Sequence, residues 1–371
     1  MTLSLNTWGR RPFLGSLFAL SIIMTIPGLA VAEPYLAVER GMQCSACHSQ
    51  PAGGGMRNAY GNAFAQSEMA AERLGGDADI WTGNIGKWLA VGGDLRGRYE
   101  YIDTPDEDEI SQFDVTRGTL YIEAQVIPNR LSLYIDQQIA PNASQNREAY
   151  VKLRDESGRL HLLAGQFYLP YGLRLQDDTA FVRRATGINF TNPDRGVQFG
   201  FENRQWSTQV SLTNGSGGGP EIDTGKQVSV VSQYVRPGWR IGASLNTNDA
   251  DTGDRNMGGV FVGIKTGPIA WLAEADYVRD EISGSSDQDG IAGLIEGNWL
   301  FRKGHNIKVG YDYFDPDRDI DEDHQVRYSV LWEYSPFQFV QSRVGVRVAD
   351  GPPQFNVQNR DEFFVELHGY F

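Results

Sequence analysis

From residue 86 to residue 371, apolar and polar residues alternate with a period of two, which is the pattern of half-buried β-strands. In one such segment the apolar positions are Leu120, Ile122, Ala124 and Val126, and the positions between them are Tyr121, Glu123 and Gln125. Each predicted strand therefore has one apolar and one polar face. The pattern fits a soluble β-sandwich with its apolar face inward, and equally a membrane β-barrel with its apolar face toward lipid.

The lengths of the connections distinguish these two folds. We count sixteen strands, which begin near Gly86, Ser111, Arg130, Arg147, Arg159, Gly196, Trp206, Lys226, Trp239, Asn256, Pro268, Gly290, His305, His324, Phe337 and Arg360. Short turns such as 128–129 and 335–336 alternate with long connections such as 171–195 and 214–225. Short turns at one rim and long loops at the other are typical of bacterial outer-membrane barrels. The sequence therefore predicts an all-β fold, an antiparallel outer-membrane β-barrel of about sixteen strands.

The last predicted strand supports the barrel. One of its faces carries Phe363, Val365, Leu367, Gly369 and Phe371. A final strand that ends in Phe resembles the signal read by the outer-membrane assembly machinery. A barrel of this size leaves an open lumen unless something fills it.

The first 32 residues have the pattern of a secretory signal peptide. Arg10 and Arg11 precede an apolar run over 14–29, and the small residues 30–32 offer a cleavage site. The alternative is an N-terminal membrane anchor, which fits less well because the apolar run is short and ends at that site.

The chain thus divides into three parts. They are the signal peptide (1–32), an N-terminal segment (33–85) with a short predicted helix from about Asn58 to Leu74, and the barrel (86–371). Removing the two signal arginines from the formal charge of −14 leaves −16 for the mature chain. This acidity argues against a nucleic-acid partner, which would require a basic face. After residue 32, no apolar stretch is long enough for a membrane-spanning helix.

The two cysteines of the chain, Cys44 and Cys47, stand before His48 and form the C-x-x-C-H motif that attaches c-type haem. Two thiols at this spacing bond covalently to the two haem vinyl groups, and the adjacent histidine becomes an axial ligand of the iron. The alternatives are a redox disulfide and a chance match. We expect one covalent haem c on Cys44 and Cys47, with His48 as the proximal ligand.

The residues around the motif resemble a known family. Segment 40–48 (RGMQCSACH), Pro51 and segment 58–64 (NAYGNAF) are similar to the fused monohaem cytochrome–porins of iron-oxidising bacteria, in which such a motif lies between the signal peptide and a barrel. The match covers about 25 residues, and the barrel matches only in architecture. The chain departs from the family at the inserted glycines 53–55 and in its compact barrel, so the resemblance does not fix the electron donor.

The resemblance implies an outer-membrane electron-transfer protein rather than a conventional enzyme. Its one haem would link an extracellular donor or acceptor, ferrous iron in the characterised branch, to a periplasmic carrier of the c-type cytochrome class. Because tunnelling falls off steeply across an apolar band of about 25 Å, we expect segment 33–85 to plug the lumen from the periplasmic side, with outer-membrane lipid around the barrel.

Two other functions are compatible with the motif. One is a diffusion porin, in which the C-x-x-C-H segment is a plug or a metal- or redox-sensing element. The other is a haem peroxidase displayed on a barrel, although no acid–base residue is visible near the motif. Detecting covalent haem separates the porin from the two haem proteins.

The sequence leaves two candidates for the second axial ligand of the haem iron. Met56 follows a flexible glycine run and Met69 lies on the predicted helix, so either could reach the iron. Met42 is too near Cys44 to cross easily to the opposite face of the haem. For each methionine, packing against the haem edge or the barrel wall is the alternative.

The other histidines of the mature chain all belong to the predicted barrel. They are His161, His305, His324 and His368. His161 and His368 fall on lumen-facing positions and could ligate the iron only if the segment plugs the barrel. A solvated histidine in the lumen is the alternative for each.

Two features of the long connections also remain open. Acidic runs such as 106–109 and 315–322 would gather at one mouth, where they could concentrate cations, including ferrous iron. Alternatively, they keep the surface soluble and bridge lipopolysaccharide through divalent ions. Connection 171–195 could fold inward as a constriction or lie on the surface as a lid.

Covalent haem is directly testable. Cys44→Ala or Cys47→Ala, expressed with a working maturation system, should abolish haem staining of the denatured band, because covalently attached haem survives denaturation. Ser45→Ala is the matched control, since it leaves the motif intact and should stain like the wild type. A wild-type band without haem would rule out the cytochrome hypothesis.

Overall fold

The structure is a computed structural model, and it describes most of the chain. The described residues are 33–75, 80–141, 144–189, 191–352 and 359–371. The predicted signal peptide, residues 1–32, lies outside them.

Sixteen antiparallel strands form the wall of a barrel. They are β2 (Leu89–Asp103), β3 (Ile110–Ile127), β4 (Leu131–Ala140), β5 (Gln145–Arg154), β6 (Leu160–Phe167), β7 (Asp194–Glu202), β8 (Trp206–Thr213), β9 (Gln227–Arg236), β10 (Trp239–Asn248), β11 (Gly253–Thr266), β12 (Ile269–Ile282), β13 (Gln288–Arg302), β14 (His305–Asp315), β15 (Gln325–Tyr334), β16 (Val340–Asp350) and β17 (Asp361–Tyr370). Each begins within three residues of its predicted start. A two-residue strand, β1 (Asn84–Ile85), precedes them and pairs with β2.

The wall closes because its last strand pairs with its first. Along this seam, β17 and β2 are in antiparallel register over ten residue pairs. Two further backbone hydrogen bonds of 3.1 Å, exchanged between Gly93 and Phe371, extend the seam to the terminal residue. A closed barrel has no unpaired edge, which is the strand arrangement that a bilayer interior tolerates. The predicted barrel is confirmed, and the sandwich is excluded.

The two faces of the wall have the opposite polarity to those of a soluble barrel. Large apolar side chains point outward, and Leu245 and Val260 remain 64% and 62% exposed. Polar side chains point inward, and Gln198 and Asn298 are completely buried. An apolar outer band suits contact with lipid, and a polar inner face lines the lumen.

The N-terminal segment has little regular structure. Its helical elements are α1 (Pro34–Arg40), a 3₁₀ turn (Cys44–Ala46), α2 (Ala59–Phe64) and a π-helical turn (Ala65–Met69). The helix predicted to reach Leu74 therefore ends five residues early, because Ala70 is extended. The next two backbone N–H groups donate instead to Ser335 O and Pro336 O of the β15–β16 turn, at 2.8 and 3.1 Å.

Helices play no part in the wall of this structure. Among the described residues, no helix is both long enough and apolar enough to cross a membrane.

The N-terminal segment lies inside the barrel and plugs part of the lumen, as predicted. Glu33 forms an ion pair with Lys308 of β14, and Arg240 of β10 donates to the backbone carbonyl of Pro34 at 3.2 Å. Ser49 Oγ donates to Glu123 of β3 at 2.7 Å. Because β3, β10 and β14 are well separated around the wall, these contacts span the lumen.

The connection between β6 and β7 folds into the lumen from the long-loop rim. It contains α3 (Phe181–Thr186), and its Leu173 side chain is completely buried. Glu274 of β12 holds it, accepting from the Leu173 N–H at 2.9 Å and pairing with Arg183. Of the two predicted possibilities, the structure therefore shows the inward fold. We call this connection the inner loop.

Deleting residues 33–85 while keeping the signal peptide should leave a barrel that still assembles, because the wall strands pair with one another. Its conductance in planar bilayers should rise, but only partly, since the inner loop still obstructs the lumen. Replacing residues 171–189 as well with a short glycine–serine linker should raise the conductance further. Heat-modifiable migration on a denaturing gel checks assembly, and equal conductance of all three proteins would contradict a plugged lumen.

Candidate functional site

The N-terminal segment, the inner loop and the wall enclose a cavity between them. Its lining includes Cys44, Cys47 and His48 from the segment, Arg174 from the inner loop, and Arg240 and His368 from the wall. The empty space around these residues, counted with the part open to solvent, is about 1380 Å³.

A tight turn brings the motif residues to one side of this cavity. The backbone N–H groups of Cys47 and His48 both donate to Cys44 O, at 3.1 and 3.0 Å. After the turn, His48 forms an antiparallel bridge with Arg57, which returns the chain past the motif. Both thiols and the imidazole thus line the same cavity.

The Asn58 side chain connects the motif turn to α2. Its Nδ2 donates to Ser45 O at 3.0 Å and to Ala46 O at 3.1 Å, which holds the turn. Its Oδ1 accepts from Gly61 N at 2.9 Å and caps the helix. The N-A-Y-G residues that accompany the motif therefore have a structural role.

Gly61 and the glycine run 53–55 permit close approaches to the cysteines. A Cβ on Gly61 would lie 2.1 Å from Cys47 O, so α2 can pack on the motif turn only with glycine there. The inserted Gly53, Gly54 and Gly55 all have positive φ, at 96°, 78° and 60°, a region that L side chains rarely adopt. This run turns the chain tightly beside the Cys44 thiol.

The two cysteines are free thiols in this fold. Burial first, and then the neighbouring Cys44, raise the pKa of Cys47 to about 11, while Arg57 opposes the shift. Burial also raises the pKa of Cys44. Both sulfurs are therefore protonated and neutral at neutral pH. A thioether is also uncharged, so haem attachment would leave no buried thiolate.

His48 has an uncommitted nitrogen. Its Nδ1 is buried and has no hydrogen-bond partner, and such a buried polar atom is costly unless something binds it. Burial first, and then the positive charge of Arg57, lower the pKa of His48 to about 4. The ring is therefore neutral at physiological pH, which is the protonation state that coordinates a metal.

The lining of the cavity is rich in arginine. Two acids, Glu33 and Asp94, and five arginines belong to it: Arg57, Arg96, Arg117, Arg174 and Arg240. Arg240 is 3% exposed, and its Nε is buried with no hydrogen-bond partner. A haem carries two propionate carboxylates, and guanidinium groups are well suited to bind carboxylates. Two thiols, a neutral imidazole and these arginines together fit a haem c.

The methionines of the segment have different surroundings. Met56 and Met69 are each 1% exposed and pack among buried apolar and aromatic side chains. Neither is part of the cavity lining that contains the cysteines, whereas Met42 is. Met42 Sδ accepts a hydrogen bond from the Tyr60 hydroxyl at 3.5 Å. Met56 or Met69 as distal ligand stays a prediction, and for both the structure records the packing role.

The histidines of the barrel separate into two groups. His305 and His324 stack on aromatic neighbours, whereas His161 and His368 are 5% and 2% exposed, as expected for lumen-facing positions. Within the described part of the chain, His368 is the barrel histidine that lines the cavity. The sequence pattern could not reveal this, nor the arginines of the barrel, because Arg96, Arg117 and Arg240 lie on strands, and Arg174 on the inner loop, far from the motif in sequence.

The acidic loops do not form a visible metal site. In the part of the chain that the structure describes, no group of three or more His, Cys, Asp or Glu side chains is arranged to hold a metal ion. The acidic run 106–109 is exposed. Its carboxylates therefore give this mouth of the barrel a solvated, negatively charged surface.

Comparisons with known proteins identify the fold. No protein-family model matches the sequence, and no curated protein matches it either. Among solved structures, the loop-deletion form of OmpT from Vibrio cholerae is similar at a TM-score of 0.62 and 12% identity, covering 76% of this chain and 99% of that one.

Two further outer-membrane proteins are similar to a comparable extent. The anion-selective porin of Comamonas acidovorans has a TM-score of 0.63 at 8% identity, covering 76% of this chain and 99% of its own. OmpF of Salmonella typhi has a TM-score of 0.60 at 13% identity, and the match covers 77% of this chain and 98% of that one. These likenesses show that the chain has the fold of an outer-membrane porin.

The role of Asn58 can be separated into its two parts. Asn58→Asp keeps the acceptor that caps α2 but removes the two donors to the motif turn, whereas Asn58→Ala removes both. Each hydrogen bond contributes roughly 0.5–1.5 kcal/mol. Asn58→Asp should therefore lower the free energy needed to open the turn by about 1–3 kcal/mol, and Asn58→Ala should lower it by more. Limited proteolysis between residues 44 and 60 measures this opening.

Asn84→Ala, on the exposed β1, is the control for this experiment and should be cleaved like the wild type. If Asn58→Asp resists proteolysis as well as the wild type, the carbonyl contacts do not hold the turn.

Proposed function

We propose that this protein conducts electrons across the outer membrane through one haem c, bound covalently by Cys44 and Cys47 and ligated by His48. The observation that carries the proposal is the location of the C-x-x-C-H motif. It lines a cavity inside the lumen, together with five arginines, rather than hanging outside the barrel. Cys47 is buried there, and Cys44 and His48 are half-buried, so a redox partner outside the lumen would reach the motif by way of the barrel.

The position of the motif along the barrel supports transfer between the two sides. His48 also lines a second cavity, together with Pro128 and Asn129 of the short β3–β4 turn. Short turns of outer-membrane barrels face the periplasm, so this side suits a periplasmic electron carrier of the c-type cytochrome class. On the other side, the inner loop connects the cavity to the long-loop rim. An extracellular donor or acceptor would approach there.

The filled lumen argues for electrons rather than solutes as the cargo. A diffusion porin needs an open aqueous path, whereas here the N-terminal segment and the inner loop enter from opposite rims and meet at the cavity. Buried ion pairs hold both, Glu33 with Lys308 and Arg183 with Glu274. A plug held in this way would obstruct diffusion without obstructing tunnelling through a redox group inside it.

The chain's own residues would hold the group and exclude water. A bound haem would supply a one-electron carrier. Arg174 and Arg240 can neutralise its carboxylates, and the buried side chains of Tyr121 and Tyr171 would help to keep water from it. The exposed carboxylates at 106–109 would attract cations to the long-loop mouth. Ferrous iron, the donor in the resembling family, is such a cation.

Electron transfer can be tested in vesicles. Purified protein should be reconstituted into liposomes that enclose a ferric c-type cytochrome, and chelated ferrous iron added outside. The wild type should reduce the enclosed cytochrome, because each ferrous ion gives one electron that crosses the wall through the haem. The Cys44→Ala/Cys47→Ala variant should not, and Ser45→Ala should behave like the wild type.

Two outcomes would overturn the proposal. One is haem-bearing wild-type protein that transfers no more electrons than the double alanine variant. The other is rapid solute flux through the wild type with no covalent haem, which would identify a diffusion porin with a structured plug.

A further inference from the structure

We propose that the electron carrier on the periplasmic side is an acidic protein, and that it docks over the cavity at the β3–β4 turn. The inference rests on the proposed function and deepens it, because it names the charge of the partner and the place where it binds. We call this cavity the vestibule. Its lining includes His48, Lys87, Asn129, Arg130 and Arg154.

The exposed charged side chains divide between the two rims of the barrel. Acids predominate at the long-loop rim, as in 106–109 and 319–322. At the rim of the short turns, within the described part of the chain, the exposed acids are Glu72 and Glu156. The exposed cations of that rim are Lys87, Arg159, Arg204, Arg236, Lys265 and Arg302, of which Lys265 already pairs with Glu39. An acidic chain therefore has a basic periplasmic rim.

The vestibule itself has an excess of positive charge. Glu123 is the acidic member of its lining, and Lys152 neutralises it at 2.8 Å in a buried pair. The other charged side chains of the lining are Lys87, Arg130 and Arg154. The lining thus offers no further carboxylate to balance these three cations.

Two of the three cations are accessible from the periplasm. Lys87 is exposed, and its Nζ lies over the Trp88 ring at 4.9 Å. Arg130 pairs with Glu156 at 2.7 Å, but the Glu156 side chain is 88% exposed. Because exposed ion pairs contribute little to stability, a carboxylate on a docked protein can take the place of Glu156.

Lipid headgroups are the other anions that a basic rim could attract, and the position of Arg154 argues against them. Lys152 and Arg154 are two residues apart on β5, so their side chains share one face of the strand. Lys152 is buried inside the barrel, where it donates to Ser49 O at 2.9 Å. Arg154 therefore points inward as well, away from the surrounding lipid, whereas a protein that covers the vestibule can approach it.

The vestibule is also suited to a transient redox complex. His48 lines both the vestibule and the cavity that contains the two cysteines, so a carrier docked there lies next to the motif. Tyr60 of the same lining is 52% exposed, and aromatic side chains are enriched at protein interfaces. Weak electron-transfer complexes use small interfaces, below about 1,200 Å², which the surroundings of one cavity can supply.

The charge of the rest of the barrel would orient the partner. A chain with a formal charge of −14 repels an acidic protein overall, so attraction is confined to the basic rim. A concave site with one sign of charge raises the association rate, and complementary charges fix the orientation of the complex. We therefore expect fast association at low salt and slower association when ions screen the charges.

Two probes of the same fold and opposite charge test the inference. They are a basic c-type cytochrome and the same cytochrome made acidic by succinylation of its lysines. Each ferric probe is enclosed in phosphatidylcholine vesicles that carry haem-loaded protein, and chelated ferrous iron is added outside. An epitope tag in connection 214–225 selects vesicles with the long loops outward. The wild type should reduce the acidic probe at least roughly tenfold faster than the basic probe, and salt should diminish this difference.

Reversing the charge of the vestibule should reverse this preference. Lys87→Glu/Arg130→Glu should slow reduction of the acidic probe by roughly tenfold or more and favour the basic probe. Arg302→Glu/Lys303→Glu is the matched control, because it makes the same charge change at the β13–β14 turn, outside the vestibule lining. It should keep the wild-type preference. Heat-modifiable migration and haem staining establish that each variant is assembled and loaded.

The docking position can be located independently of electron transfer. In detergent at low salt, a carbodiimide should couple the Lys87 amine to carboxylates of the acidic probe, and mass spectrometry identifies the joined peptides. Lys87→Gln should lose this product. Coupling of the wild type at Arg302–Lys303 peptides instead of Lys87 would place the partner elsewhere on the rim and overturn the proposal.

The outcomes distinguish this inference from the function on which it rests. A haem-loaded wild type that reduces neither probe would refute the proposed function. Equal rates with the two probes, or an equal loss of rate in the two double variants, would refute only the docking site. If Lys87→Glu/Arg130→Glu alters transfer in vesicles that contain anionic phosphatidylglycerol but not in phosphatidylcholine vesicles, the cations bind lipid headgroups and the docking site is wrong.

Discussion

Closure of the sheet is the constraint on which the rest of the structure depends. Each backbone N–H or C=O left unpaired in hydrocarbon would cost several kcal/mol, and the β17–β2 seam leaves no such edge. Once the wall is closed, the two-residue period of each strand sends alternate side chains to lipid and to the lumen. The apolar outside and polar inside follow directly from this geometry.

A polar lumen in turn needs partners for its buried groups. Glu123 is 4% exposed, and it is satisfied by Lys152 at 2.8 Å and by Ser49 of the N-terminal segment at 2.7 Å. Glu274 is 3% exposed, and it is satisfied by Arg183 and a backbone N–H of the inner loop. Removing one partner of a buried pair leaves an uncompensated charge. The segment and the inner loop therefore stabilise the wall as well as obstruct the lumen.

The cavity forms where these three parts meet. The segment brings two thiols, an imidazole and the Arg57 guanidinium, and the wall and the inner loop bring further guanidinium groups and buried tyrosines. The resemblance to cytochrome–porins covers only the segment, so it describes how a haem would be attached. The wall decides what would surround that haem, and hence its charge balance and potential.

Local patterns in the sequence determined the number and starts of the strands, the C-x-x-C-H motif, and the lumen-facing positions of His161 and His368. These features depend on periodicity and short motifs, which involve neighbouring residues alone. The end of the helix at Met69 was not predictable, since it results from hydrogen bonds to the distant β15–β16 turn. The inward course of the inner loop depends on Glu274, about 100 residues away in sequence. Only closure of the barrel brings the arginines and His368 to the motif, because strand pairing, not sequence distance, decides which side chains share the lumen.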